Sequence, residues 1–90
     1  MSDEDKIQER ISAGARATAL VQNDAFTEAT TKLRQRLFEL WESSKDPVER
    51  ERIWLSVNIL EQIKGVLRRT IDNGTLAQIE LDELLKGPNG

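Results

Sequence analysis

The chain contains no cysteine and no histidine among its 90 residues. The absence of cysteine excludes disulfide bonds and thiolate metal sites. The absence of histidine removes the most common general base and the most common metal ligand. The glycines lack the spacing of a phosphate-binding loop, and the serines have no histidine to activate them. We therefore expect no catalytic residue, no metal site and no cofactor, and the sequence predicts a protein that is not an enzyme.

Aromatic residues make up only 4% of the chain, tyrosine is absent, and there are two prolines and five glycines. Leu, Ile, Ala, Glu, Arg and Gln dominate instead, which is a composition typical of helices rather than sheets. No apolar run approaches the roughly 20 residues of a membrane span. The acidic start of the chain does not resemble a signal peptide, so we expect a cytoplasmic protein.

Neither sign of charge predominates strongly, because the net charge is −3 and the stretch from Asp24 to Asn73 carries nine acidic and nine basic residues. No segment has the excess of Lys and Arg that non-specific DNA binding needs. A chain of this length buries only a modest core, which small proteins reinforce with disulfides, metals or oligomerisation. Because the chain has no cysteine and no histidine, oligomerisation is the reinforcement that we expect.

Apolar residues recur at spacings of three and four, which predicts an all-α protein. The predicted elements are an N-terminal helix at about 3–22, a second helix at about 25–44, a third at about 47–73 and a short C-terminal helical segment. They form one helical domain at 1–86, and 87–90 are predicted to be disordered. The short connection between helices two and three predicts that these two form an antiparallel hairpin.

Local signals set these boundaries. Ser2 and Asp24 are predicted N-caps, and Asp46 is a third, followed by Pro47 at the first helical position. The Asp-Asn-Gly sequence ending at Gly74 predicts the end of helix three, with this glycine in a left-handed C-terminal conformation.

The middle of the first helix, from Ser12 to Ala19, has almost no large side chain. Such a surface allows another helix to approach closely. A weak helix with little to bury explains the same composition, since the glycine at position 14 costs about 1 kcal/mol in a helix interior.

The third helix has apolar residues over an arc of about 200°. They are Ile53, Leu55, Val57, Ile59, Leu60, Ile63, Val66, Leu67 and Ile71. A helix of this kind normally has several neighbours, so we expect copies of the chain or a helical partner protein to cover part of it. The alternative is that the first helix and the tail close a monomeric bundle.

The predicted interface consists of Trp54, Leu55, Ile59, Ile63 and Val66. Tryptophan is enriched at interaction hot spots. Trp41 and Trp54 lie on either side of the hairpin turn and are expected within one helical turn of each other. Closure of the turn end of the bundle is the alternative role for both.

Three stretches carry a resemblance to known proteins: Gly14 to Phe26, Glu51 to Leu55, and Leu67 to Ala77, together with Trp41. They resemble short helical proteins encoded among the structural and packaging genes of tailed bacteriophages and prophages. The resemblance covers about residues 7–77. It implies a virion-assembly or structural component in the bacterial cytoplasm or the virion, with phage structural proteins as partners. It implies no functional residues.

A DNA-packaging accessory is the alternative function. Small terminase subunits are similar in being helical and oligomeric, although this chain lacks their helix-turn-helix pattern. An oligomer would gather Arg68 and Arg69 from each subunit into a local basic patch that contacts nucleic acid.

Overall fold

A computed structural model describes residues 2–87. It contains three α-helices, α1 at Asp3–Val21, α2 at Asp24–Ser43 and α3 at Pro47–Lys86. The predicted all-α class is confirmed. Within the described part of the chain, no helix combines the length and apolar character that crossing a bilayer requires. Of the tail predicted to be disordered, residues 88–90 lie outside the described residues.

Side-chain caps begin each helix. The Ser2 hydroxyl accepts a hydrogen bond from the backbone N–H of Asp5 at 3.2 Å, and the Asp46 carboxylate accepts one from Val48 at 3.1 Å. The cap of α2 is Asn23 rather than the predicted Asp24, because the Asn23 side-chain oxygen accepts from the N–H of Phe26 at 2.9 Å. Both residue types cap well, so the pattern alone left the boundary uncertain by one residue.

The chain divides into two compact units. Unit 1 consists of Met1–Leu20 and Leu67–Gly90, and unit 2 consists of Val21–Val66. The long α3 contributes residues to both units, with its C-terminal half paired with α1 and its N-terminal half paired with α2.

Unit 1 is built around a close contact between two glycines. A Cβ atom placed on Gly14 would lie 2.9 Å from the Cα of Gly74. A Cβ atom placed on Gly74 would lie at the same distance from the Cα of Gly14. Ala77 of α3 is fully buried, as is most of Ala17 in α1. Small residues on both helices thus let the two backbones come together, which is one of the two alternatives that the small side chains of α1 left open.

A polar contact reinforces the glycine crossing. The guanidinium of Arg10 forms an ion pair with Glu80 at 3.1 Å and donates a hydrogen bond to the backbone carbonyl of Asn73 at 3.3 Å. Since Arg10 precedes Gly14 while Glu80 follows Gly74, the order of contacts shows that α1 runs antiparallel to this half of α3.

The predicted end of helix three at residue 73 is wrong, and so is the separate C-terminal segment. The helix continues through Gly74 to Lys86. Gly74 serves close packing rather than helix termination, and packing against α1 compensates for its low helix propensity. The glycine that ends the helix is Gly87, with φ of 71° and its N–H donating to the carbonyl of Leu84.

Unit 2 is an antiparallel pair formed by α2 and the first half of α3. The Arg50 guanidinium lies over the Trp41 ring, with Cζ 3.9 Å from the ring centroid. Two helical turns away, Arg34 forms an ion pair with Glu61 at 3.1 Å. A residue earlier in α2 therefore contacts a residue later in α3. The two helices are antiparallel, as expected for a hairpin with a three-residue connection.

Replacing Gly74 with Ala should lower the free energy of unfolding by about 1–3 kcal/mol, because the new Cβ meets the backbone of α1 rather than a side chain that can rotate away. In an open helix the same change would raise stability by about 1 kcal/mol. Urea unfolding followed by circular dichroism, at one protein concentration, measures the difference.

Ser12→Ala is the matched control for this variant, since Ser12 is exposed on α1. We expect it to stay within about 0.5 kcal/mol of the native chain. A Gly74→Ala variant that is more stable than the native chain would contradict the crossing.

Candidate protein interface

A row of exposed aliphatic side chains runs along α3 in unit 2. We call it the aliphatic stripe, and it consists of Val48, Leu55, Ile59, Ile63 and Val66, which are 58%, 53%, 58%, 48% and 51% exposed. At 100° per residue, the five positions fall within about 80° of the helix circumference. The spacing of the last four, at four, four and three residues, is that of a helix face that contacts another helix.

The stripe lies on the opposite side of α3 from α2. The α3 residues that contact α2, including Arg50 and Glu61, are centred about half a turn around the helix from the stripe. A single neighbouring helix covers only the side that faces it, so α2 leaves the stripe in contact with water.

Unit 2 has a thin apolar core. Only Ile53, Val57 and Leu60 of α3 are buried there, and no residue of the 20-residue α2 is buried. Leu33 and Leu40 of α2 are also 48% and 39% exposed. Because exposed aliphatic residues outnumber buried ones in this unit, its surface is typical of a protein that binds another protein.

The predicted interface residue Trp54 does not belong to the stripe. It lies with Phe38, Trp41 and Val57 around a shallow depression lined only by apolar atoms, which we call the aromatic notch. The notch opens along the line where α2 meets α3. The structure thus brings Leu55, Ile59, Ile63 and Val66 together on one face and places Trp54, which is 52% exposed, on another.

Two arginines stack on the aromatic rings of unit 2. The Arg50 guanidinium covers the Trp41 ring and donates a hydrogen bond to the carbonyl of Ser44 at 3.2 Å. The Arg34 guanidinium lies 5.4 Å from the centroid of the Phe38 ring. These cation–π contacts fix the turn end of the hairpin and keep Trp41 partly covered.

Two residues of these surfaces were not among the interface residues predicted from the sequence. Phe38 lines the aromatic notch. Its spacing of three residues from Trp41 was the available signal. Val48 extends the stripe by two turns, and its i,i+7 spacing from Leu55 could have indicated this.

Arg68 and Arg69, the predicted nucleic-acid contacts, are both exposed on α3. Within residues 2–87, no group of three or more carboxylate side chains lies close enough to hold a metal ion. The surface features that stand out in unit 2 are therefore the stripe and the notch, which are suited to binding a protein.

Comparison with protein-family models, with curated proteins and with solved structures gives no match for this chain.

Replacing Arg50 with Ala should lower the free energy of unfolding by about 1–2 kcal/mol, because it removes the cation on Trp41 and the hydrogen bond to the Ser44 carbonyl. Urea unfolding followed by the fluorescence of Trp41 and Trp54 measures this loss.

Arg36→Ala provides the control, since Arg36 is exposed on α2 and has no hydrogen bond, ion pair or ring contact to any residue in the described range. Its stability should match that of the native chain within about 0.5 kcal/mol. Equal losses from both arginine variants would show that the Trp41 contact contributes nothing.

Proposed function

We propose that this chain is a non-enzymatic helical oligomerisation or adaptor protein that associates through the aliphatic stripe. The single observation that carries this proposal is the half-exposure of all five stripe residues on the side of α3 opposite α2. Soluble proteins rarely leave a contiguous row of large aliphatic side chains in water unless another molecule covers it.

The energy available from the stripe is large enough to support association. Burying an aliphatic side chain completely yields about 1.5–3 kcal/mol, so five half-exposed side chains yield about 4–8 kcal/mol per helix. A partner surface of equal area doubles this to about 8–15 kcal/mol. Association costs about 4–15 kcal/mol in lost freedom, and a micromolar Kd needs a net gain of about 8 kcal/mol. The stripe therefore contributes a large share of the required free energy, and additional contacts supply the rest.

We propose phage virion assembly as the setting for this association. The support is the resemblance of residues 7–77 to short helical proteins from the structural and packaging genes of tailed phages, in which helical components assemble with one another. The stripe would then contact a copy of the chain or a phage structural protein.

We do not adopt the DNA-packaging alternative. Its support is limited to the exposed positions of Arg68 and Arg69. The net charge of −3 opposes non-specific DNA binding, whose free energy comes from phosphate neutralisation by basic side chains.

Leu55→Glu tests the proposed function, because it places a carboxylate in the centre of the stripe without disturbing a buried position. Leu76→Glu is the matched control, since Leu76 lies on the same helix outside the stripe and is exposed to the same extent, 53%. The readout is the size of the complex that contains the chain in extracts of its native cells, measured by blue native gel electrophoresis and immunoblotting.

We expect the native chain and Leu76→Glu to migrate well above the 10.2-kDa chain mass, and Leu55→Glu to migrate at that mass. Burial of a carboxylate in an apolar interface costs enough to abolish micromolar binding. If all three chains migrate at the monomer mass, or if both variants lose the complex equally, the proposed function is wrong.

A further inference from the structure

We infer that the partner of the aliphatic stripe is an amphipathic helix of a different protein, and that this helix carries a carboxylate within its apolar face that pairs with Arg52. This inference rests on the proposed function and names the chemistry of the partner. The residues that carry it all belong to unit 2. The supporting observations are the place of Arg52 among the stripe residues and the state of its guanidinium.

Arg52 occupies a position within the aliphatic stripe. Counted from Val48 at 100° per residue, Arg52 lies at about 40°, and the five stripe residues lie between about −20° and 60°. With Arg52 included, intervals of four, three, four, four and three residues link a contact row of Val48, Arg52, Leu55, Ile59, Ile63 and Val66. Positions at these intervals face a neighbouring helix. A helix that covers the stripe therefore also covers Arg52.

No other charged residue of α3 in unit 2 lies on this face. This half of α3 has six charged residues, and Arg52 is the only one within the arc of the stripe. Glu49 and Glu51 lie about 80° from the centre of the arc, on opposite sides. The remaining three lie about 140° or more from it, and they are Arg50, Glu61 and Lys64. The face that a partner helix would cover is thus aliphatic with a single positive charge.

The Arg52 guanidinium has no partner within residues 2–87. Arg52 is exposed, and its side chain forms no ion pair, hydrogen bond or ring contact there, although Glu49 and Glu51 are close in sequence. Arg34 and Arg50 of the same unit, in contrast, are engaged with side chains of the hairpin. The five N–H donors of Arg52 are therefore available to another molecule.

A guanidinium in this position selects its partner. The aliphatic stem of an arginine packs well among apolar side chains, whereas the charged head needs either water or a counter-charge. A helix that covers the contact row removes water from the guanidinium, and an unpaired charge at such a site opposes binding. A carboxylate replaces the lost hydrogen bonds in a bidentate pair, for which the planar guanidinium is well shaped. The helix that fits this face is therefore apolar with one Asp or Glu opposite Arg52.

A second copy of the chain does not meet this requirement, because its contact row is identical and contains no carboxylate. A parallel pair sets Arg52 level with Arg52 of the other copy, so that like charges meet. An antiparallel pair that covers the stripe from end to end sets Arg52 level with Gln62 of the other copy. The adjacent Glu61 lies on the side that faces α2. Glu49 and Glu51 stay at the edges of either pair, in contact with water.

Designed helical peptides test this inference on the purified full chain. Each is an Ala- and Gln-rich helix of about 21 residues with six leucines at the intervals of the contact row. One acidic peptide has Glu in place of the second leucine and another has Glu in place of the fifth, so that one of them meets Arg52 whichever direction it binds. Matched peptides carry Lys at the same positions. Fluorescence anisotropy of trace labelled peptide, with the chain at up to about 100 µM, gives each Kd.

One acidic peptide should bind the native chain about 10- to 100-fold more tightly than its Lys counterpart, because a repulsion replaces an attraction at a site that binding removes from water. Arg52→Glu should reverse that order. Arg36→Glu is the matched control, since it makes the same change in net charge at an exposed position on α2. It should keep the native order.

Three results would overturn the inference. The first is that the native chain binds the acidic and Lys peptides equally, or binds neither. The second is that Arg52→Glu keeps the native order with native helix content by circular dichroism, or that Arg36→Glu reverses the order as well. The third is a purified native chain that dimerises in sedimentation equilibrium at micromolar concentration and is monomeric as Leu55→Glu, which would show that the stripe binds a second copy.

The outcome for the proposed function is measured separately. A complex in native extract that Leu55→Glu removes leaves the proposed function intact even where the peptides show no preference for a carboxylate. An extract complex that Leu55→Glu leaves unchanged refutes the proposed function, and the inference about Arg52 with it.

Discussion

A pair of helices covers only the facing side of each member, and this constraint determines which residues of α3 are buried. In unit 2, α3 buries Ile53, Val57 and Leu60, while the aliphatic stripe lies about half a turn away and stays in water. A bundle of three or four helices would remove that surface from solvent, but unit 2 contains two. The apolar arc of α3 is therefore wider than the single neighbouring helix α2 covers.

The two units meet this constraint differently. In unit 1, glycine and alanine let the backbones of α1 and α3 come close, so a pair with few large side chains still buries Ala77 completely. In unit 2, cation–π contacts and an ion pair supplement a core of three residues. In unit 1, close packing of the backbones compensates for the small side chains. Unit 2 instead leaves aliphatic side chains exposed.

The elements that the sequence predicted well depend on local signals. The turn before Pro47 was predicted because the Asp46 side chain caps a backbone N–H two residues away. The role of Gly74 could not be predicted in this way, since a glycine after Asp-Asn suits either a helix end or a close crossing. The deciding contact is with Gly14, which lies sixty residues earlier in the chain. The division of the predicted interface into stripe and notch also depended on where α2 packs.

The geometry of the two surfaces decides which of them supports extended association. The aromatic notch is a small depression between four side chains. The stripe runs from Val48 to Val66, about 27 Å along a helix at 1.5 Å per residue. A row of that length offers several helical turns of contact to a second helix. The stripe therefore offers a longer apolar contact surface than the notch does.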